Sequence, residues 1–192
     1  KALYFGLSIF IPDGVYLVGK LSIPLKFKGC HIAGVGFNHW SSTDGTVLKA
    51  KDDEIFSFEN GADWIAIKSL RLEGNNNSSY GINGDYGSNI ILDNVGVYNF
   101  TKVGAKWRQG LWRISSCFFF RNKVGIEMYS DSSVSNSEFS LGEVPVRVVA
   151  GGNRFVNCWI NSGTKSCMEI LPLDAQTNNH NNAFISCYIG DV

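Results

Sequence analysis

The sequence predicts an all-β fold: a right-handed parallel β-helix, wound as a single-stranded solenoid of about seven coils. Three observations lead there. Gly, Asn, Ser, Val, Ile and Phe are plentiful while only 4 of 192 residues are proline, a composition suited to many short strands joined by tight turns. One short motif returns through most of the chain. A second apolar strand follows each copy in step with it.

The motif runs apolar, two residues, small or apolar, one residue, apolar. Its copies are Ile67/Leu70/Leu72, Leu92/Val95/Val97, Ile114/Cys117/Phe119, Val134/Ser137/Phe139, Phe155/Cys158/Ile160 and Phe184/Cys187/Ile189, with starts separated by 25, 22, 20, 21 and 29 residues. A fixed period of this kind marks stacked repeats. An earlier copy, Phe27/Cys30/Ile32, lies 40 residues before the first, so residues 36–46, around Asn38, His39 and Trp40, read as an insertion. Just before the middle apolar position stands a small polar residue: Ser69, Asn94, Ser116, Asn136, Asn157 or Ser186. A sharp bend belongs there, because Asn tolerates the left-handed conformation such a bend needs. Stacked coil on coil, these side chains are expected to hydrogen-bond as a ladder.

The second strand alternates inward and outward. Its expected inward residues are Tyr80/Ile82, Val103/Ala105/Trp107, Val124/Ile126/Met128, Val144/Val146/Val148 and Met168/Ile170. A β-sandwich also has strands at regular spacing, but it needs no polar residue at a fixed motif position. The whole chain, 1–192, therefore reads as one β-helix domain, with opening coils over 1–60 and regular coils over 61–192. Terminal repeats of a solenoid normally carry a polar cap. None is visible at the C-terminal end, which leaves that end open and predicts a longer parent chain.

Charge and composition narrow the partners. Lysine plus arginine equals aspartate plus glutamate, 17 each, so no net field attracts a phosphate backbone and nucleic acid is not an expected partner. No apolar run approaches the roughly 20 residues of a membrane span, and no membrane insertion is expected. The five cysteines, Cys30, Cys117, Cys158, Cys167 and Cys187, form no CxxC pair, and His31, His39 and His180 are dispersed. No metal or other cofactor is expected. Four of the cysteines share the inward column of Leu70 and Val95 and read as core packing, with Cys158 and Cys187 on neighbouring rungs within possible disulfide reach.

The opening coils carry a resemblance. Ser8 to Pro24 (SIFIPDGVYLVGKLSIP), His31 to Gly36 (HIAGVG), Thr46 to Ala50 (TVLKA) and Asp63 to Gly74 (DWIAIKSLRLEG) resemble the opening coils of the pectate-lyase-like superfamily, in the branch of phage tailspikes and capsule depolymerases. That resemblance implies a bacterial surface polysaccharide as partner, a homotrimer, and a place on the virion tail, or at a cell surface or in secretion if the source is not a phage. The chain departs from other branches. Asp52-Asp53 is its single aspartate pair and sits in a polar turn, and it has no Gly-His-Gly, no arginine-proline and no Asp-Pro-His-Asp motif.

The resemblance also implies that the second sheet bears the active site. Its expected outward column is Asn83, Lys106, Glu127, Arg147 and Glu169. Rungs lie about 4.8 Å apart, which separates the backbones of Glu127 and Glu169 by roughly 10 Å with Arg147 between. Inverting glycosidases hold their carboxyls roughly 6.5–9.5 Å apart, so Glu127 and Glu169 are the expected catalytic acid and base, with Asp85 as a third candidate. The bland alternative is a cross-strand ion ladder, about 0.2–1 kcal/mol per pair. Substrate-binding candidates are Lys106, Arg108, Arg147 and Tyr129 beside this column. On the first sheet the outward set is Arg71, Glu73, Tyr98, Phe118, Phe120, Glu138, Trp159 and Tyr188, which either stack on sugar rings or lie beneath loops or a neighbouring subunit. The expected function is depolymerisation of a polysaccharide by glycosidic hydrolysis. Two alternatives stand beside it: a non-catalytic β-helical adhesin, and a lyase in which Lys106 or Arg147 assists proton abstraction beside a uronate.

Overall fold

The computed structural model describes residues 4–23, 27–59, 61–85, 87–108, 110–171 and 181–190. His180 lies outside them. All the paired strands run parallel and build two sheets, one of sixteen strands and one of seven. The seven-stranded sheet takes one strand from each coil, in sequence order Leu21–Ile23, Glu54–Phe58, Tyr80–Gly84, Val103–Trp107, Val124–Met128, Val144–Val148 and Met168–Ile170. Each neighbour is the same segment one coil later. The expected right-handed solenoid of about seven coils is the fold.

In the larger sheet, two early coils run unbroken as Asp63–Glu73 and Ser88–Tyr98, while later coils divide the same stretch into two three-residue strands such as Arg113–Ser115 and Phe118–Phe120. The division falls at the predicted bend. Ser69, Asn94, Ser116, Asn136, Asn157 and Ser186 all have φ between 47° and 53°, the left-handed region. The expected side-chain ladder is much reduced: among the described residues it consists of one bond, Asn157 Nδ2 to Asn136 Oδ1 at 3.4 Å. Five of these six side chains are exposed and water competes for them. What the column supplies is backbone conformation.

Each regular coil has two further left-handed corners that the motif did not reveal. One lies at the start of the first-sheet stretch, at Asn89, Leu111 and Asp131, and the other just past its end, at Asn99, Arg121, Leu141 and Ser162. A left-handed residue with a Cβ costs about 1–2 kcal/mol. Leu111, Arg121 and Leu141 bear that cost because stacking on neighbouring coils fixes where the chain must turn.

Inside, equivalent residues stack, as Phe119 does on Phe139 with centroids 5.0 Å apart, and within one coil Trp107 lies on Trp112 at 4.4 Å. Cys30, Cys117 and Cys158 are buried as expected, and no disulfide joins any of the five cysteines. Burial pushes the Cys117 thiol up to about 12 and the Cys158 thiol up to about 11, so neither is a thiolate at neutral pH. Asn122 and Asn153, both buried, serve the turns from within. Asn153 Nδ2 donates to the carbonyls of Tyr129 and Ala150 at 2.8 Å, and its Oδ1 accepts from the Ser132 amide at 3.2 Å.

One expectation needs correction. Tyr80, Val103, Val124 and Val144 are not part of the main core but form a separate apolar cluster, on the outer face where the Lys106 ammonium lies 4.9 Å from the Tyr80 ring centroid. The residues after them, Gly81, Gly104, Gly125 and Pro145, are skipped in the pairing register, so simple alternation fails there. A Cβ on Gly104 or Gly125 would meet the next coil's carbonyl oxygen at 2.6 or 2.2 Å. The backbone is turning tightly at that point.

Two substitutions test these roles by urea unfolding. Leu111→Asn relieves a left-handed corner and is expected to raise stability by about 0.5–1 kcal/mol. Asn153→Ala leaves buried turn groups without partners and is expected to lower it by about 1–3 kcal/mol.

Candidate functional site

The second sheet realises the expected ionic column in register, Asn83 beside Lys106 beside Glu127 beside Arg147 beside Glu169. Arg147 is its hub. Its Nη1 donates to Glu127 Oε2 and its Nε to Glu169 Oε2, each at 3.0 Å, and Lys165 Nζ reaches Glu169 Oε1 at 2.9 Å. One planar guanidinium thus bridges the two carboxylates. Burial works against ionising Glu169, but the hydrogen bonds and charges of Lys165 and Arg147 outweigh it and hold the carboxyl below its usual range. Asp85 sits at the edge of the column, 2.9 Å from Lys106 Nζ and 3.8 Å from Arg108 Nε, and the Arg108 guanidinium lies 5.7 Å from the Tyr129 ring centroid.

Beside this column runs the apolar one of Tyr80, Val103, Val124 and Val144, and beyond it a second charged line of Lys102, Lys123, Glu143 and Lys165. Lys106, Glu127 and Arg147 of the ionic column line, with the apolar column and the second charged line, a groove of about 400 Å³. It has an apolar floor between two charged rails, along the solenoid axis. Two of the buried polar atoms without a hydrogen-bond partner among the described residues, Asn83 Oδ1 and Ser166 Oγ, lie near these columns but outside the groove's lining. Asn83 heads the ionic column, and the register that pairs Val146 with Met168 sets Ser166 one coil past Val144. Orphaned buried acceptors and donors of this kind call for a partner.

The first sheet divides its expected aromatic face in two. Arg71, Glu73, Tyr98 and Phe120 are buried, because the insertion folds over them. It leaves the coil at the corner where Ser69 bends the next coil, with the Gly36 amide bonded to the Ser69 carbonyl at 2.8 Å. Arg71 Nη1 then donates to the carbonyls of Ser41, His39 and Asn38 at 3.1, 3.4 and 3.5 Å, while its Nε donates to Glu73 Oε2 at 2.7 Å and its guanidinium covers the Tyr98 ring at 3.7 Å. His39 wedges between Trp40, Phe118 and Phe120, and its Nδ1 is 2.6 Å from the Tyr98 hydroxyl. Burial first and Arg71 second keep His39 below its ordinary pKa. Trp159 and Tyr188 stay exposed, with ring centroids 5.1 Å apart. Glu138, between Phe118 and Trp159 in the same column, has its carboxyl pushed up by burial.

With this geometry, the solved structures most informative for comparison are phage proteins. A tailspike from the Acinetobacter baumannii bacteriophage Fri1, a capsular polysaccharide depolymerase, superposes with a TM-score of 0.68 at 12% identity, over 95% of this chain and 40% of that one. The product of open reading frame 18 of Geobacillus virus E2 follows at 0.52 and 14% identity, over 97% and 54%. The likeness is one of fold. The expectation raised by the opening coils is met at that level, and the chain spans about two fifths and about half of these two proteins' lengths. No protein-family model and no curated protein matches the sequence.

Sequence reasoning thus placed the ionic column but missed the groove floor, since Gly81, Gly104 and Gly125 were the only hint that the alternation breaks beside them. It also located the insertion without showing what it covers. Arg71 and Glu73 form a buried pair, so Arg71→Leu strands a buried carboxylate and is expected to cost about 3–5 kcal/mol in denaturant unfolding. His39 binds protons less readily folded than unfolded. Its contribution is therefore intact above about pH 6.5, the unfolded value, and is lost as pH falls through it. Between pH 8 and pH 5 the melting temperature is expected to fall further in the parent than in His39→Gln.

Proposed function

We propose that the chain binds a bacterial surface polysaccharide along the groove of the second sheet and depolymerises it by hydrolysing glycosidic bonds. The observation that carries the binding is the groove itself. A floor of Tyr80, Val103, Val124 and Val144 suits the apolar C–H faces of sugar rings, and the rails of Lys102, Lys106, Lys123 and Arg147 suit hydroxyl and acidic groups. The groove also follows the axis, as a linear polymer requires. The fold shared with a tailspike depolymerase supports the same reading.

For cleavage, Glu127 and Glu169 are the proposed pair. Glu169, held ionised by Lys165 and Arg147, takes the role of base on a water, and Glu127 that of acid. An acid must carry a proton, so Arg147 has to let go of Glu127 when the substrate arrives, turning toward the sugar. Asp85, tied to Lys106 and Arg108, is assigned to orienting those cations. The tailspike-like reading further assigns a homotrimer acting outside the host cell, with Trp159 and Tyr188 as an additional stacking surface or a contact between copies.

The Arg147 clamp equally favours a second reading, a non-catalytic adhesin, because a salt-bridged pair binds well and protonates poorly. Incubation with capsule or O-antigen polysaccharides from candidate host strains separates the readings. Hydrolysis releases new reducing ends without ultraviolet absorbance, and Glu127→Gln or Glu169→Gln is then expected to lower turnover by about 100-fold or more with the fold intact by circular dichroism. Retention of the polymer without shortening establishes the adhesin, and an unsaturated uronate product establishes a lyase.

A further inference from the structure

The insertion that interrupts the repeat does more than cover the first sheet. Between it and the sheet lies a second cavity of about 130 Å³, lined by His39, Trp40, Tyr98, Phe120 and Arg121 among others. That is the space of about four waters, room for one edge of a sugar ring laid against the exposed indole and too little for a chain. Trp40 is 87% exposed at the tip of a loop that is otherwise pinned. Arg71 ties down three of the loop's carbonyls, and the His39 ring is held among four aromatic side chains. An exposed indole on a fixed loop is a preformed stacking surface.

The charge at the cavity is equally specific. Glu73 is fully engaged by Arg71 and Asn99, so the buried charges there cancel. Arg121 is different. Its side chain is exposed and makes no ion pair among those found in the described residues, and its backbone is held left-handed, φ 53°, at a coil corner, a conformation costly for a long side chain. On the second sheet, by contrast, Lys106, Arg147 and Lys165 are all paired with carboxylates. An uncommitted guanidinium beside an aromatic wall matches a ring that bears a carboxylate, which Arg binds through two parallel hydrogen bonds.

We propose that this cavity, between the insertion and the first sheet, is a one-residue saccharide site for an acidic pyranose, a uronate-type branch or terminal sugar, stacked on Trp40 and held by Arg121. It takes from the preceding reading only that the ligand is a saccharide. It lies on the first sheet, apart from the groove, and so adds recognition of a side group to binding of a backbone.

The test uses monosaccharide probes, which report on the cavity whether or not the groove cleaves a polymer. Methyl β-D-glucuronide and methyl β-D-glucoside are titrated into the full chain and followed by ligand-observed NMR. Saturable binding of the glucuronide with a Kd on the order of millimolar is expected, with the glucoside about tenfold weaker. Arg121→Gln is expected to remove that preference while leaving the glucoside unchanged, and Trp40→Ala to weaken both about tenfold. Both side chains are exposed, so the fold should survive, which circular dichroism checks. Lys123→Ala, an exposed change on the groove's rail, should leave glucuronide binding unchanged. The proposal is overturned if the glucuronide shows no saturable binding, if Arg121→Gln leaves its affinity intact, or if Lys123→Ala abolishes it. Failure to cleave any polysaccharide, with glucuronide binding intact, overturns the hydrolase reading alone.

Discussion

Everything in this molecule depends on the parallel backbone ladder between successive coils. Because each strand bonds to the same segment one coil on, as Glu127 does to Arg147 and Arg147 to Glu169, a position in one coil becomes a column about 4.8 Å per rung. A column cannot mix inside and outside. Hence the core is a set of stacks, Phe119 on Phe139 and Phe155 on Phe184, and the surface is a set of stripes. The corners carry the same constraint: once one coil turns left-handed at Asn136, its neighbours must turn at Ser116 and Asn157. The ladder is strong enough to hold Leu and Arg in a conformation they do not favour.

This also explains what was legible in the sequence. Columns repeat, so the Ile114/Cys117/Phe119 type of motif and the alternating Lys106, Glu127, Arg147 and Glu169 could be read without coordinates. The other corners could not, because Leu111, Arg121 and Leu141 carry no signature of the left-handed region; their conformation comes from tertiary stacking and not from propensity. The floor of the groove was misread for a related reason. A skipped residue at Gly104 or Gly125 shifts Val103 and Val124 to the other face, and hydrophobicity alone does not say which apolar side the residue occupies. The Ser and Asn column was read for the right backbone and the wrong chemistry, since exposed side chains one rung apart are mostly left to water, with the bond between Asn157 and Asn136 the exception among the described residues.

The insertion at residues 36–46 escapes the periodicity, and it illustrates how a solenoid adds an enclosed space to its stripes. Stripes give an extended surface suited to a polymer but cannot enclose anything. Enclosure needs a loop, and here it is fixed by a buried pair, Arg71 with Glu73, whose guanidinium also reaches three loop carbonyls. Breaking such a pair is expensive because the remaining charge is left without solvent. The loop is therefore a part of the fold, and the cavity beneath it keeps its shape without a ligand. Groove and cavity lie on different sheets and use different physics: paired charges over an apolar floor in one, an indole and a guanidinium with no ion pair among the described residues in the other.

The central claim is that a saccharide chain lies along the second sheet, and lysine reactivity tests it most directly. With a bound capsule or O-antigen oligosaccharide, the account predicts that Lys102, Lys106, Lys123 and Lys165 lose reactivity toward an acylating reagent together, while Lys49 and Lys68 on the first sheet keep theirs. Protection of Lys49 or Lys68 with the four groove lysines still fully reactive would contradict it.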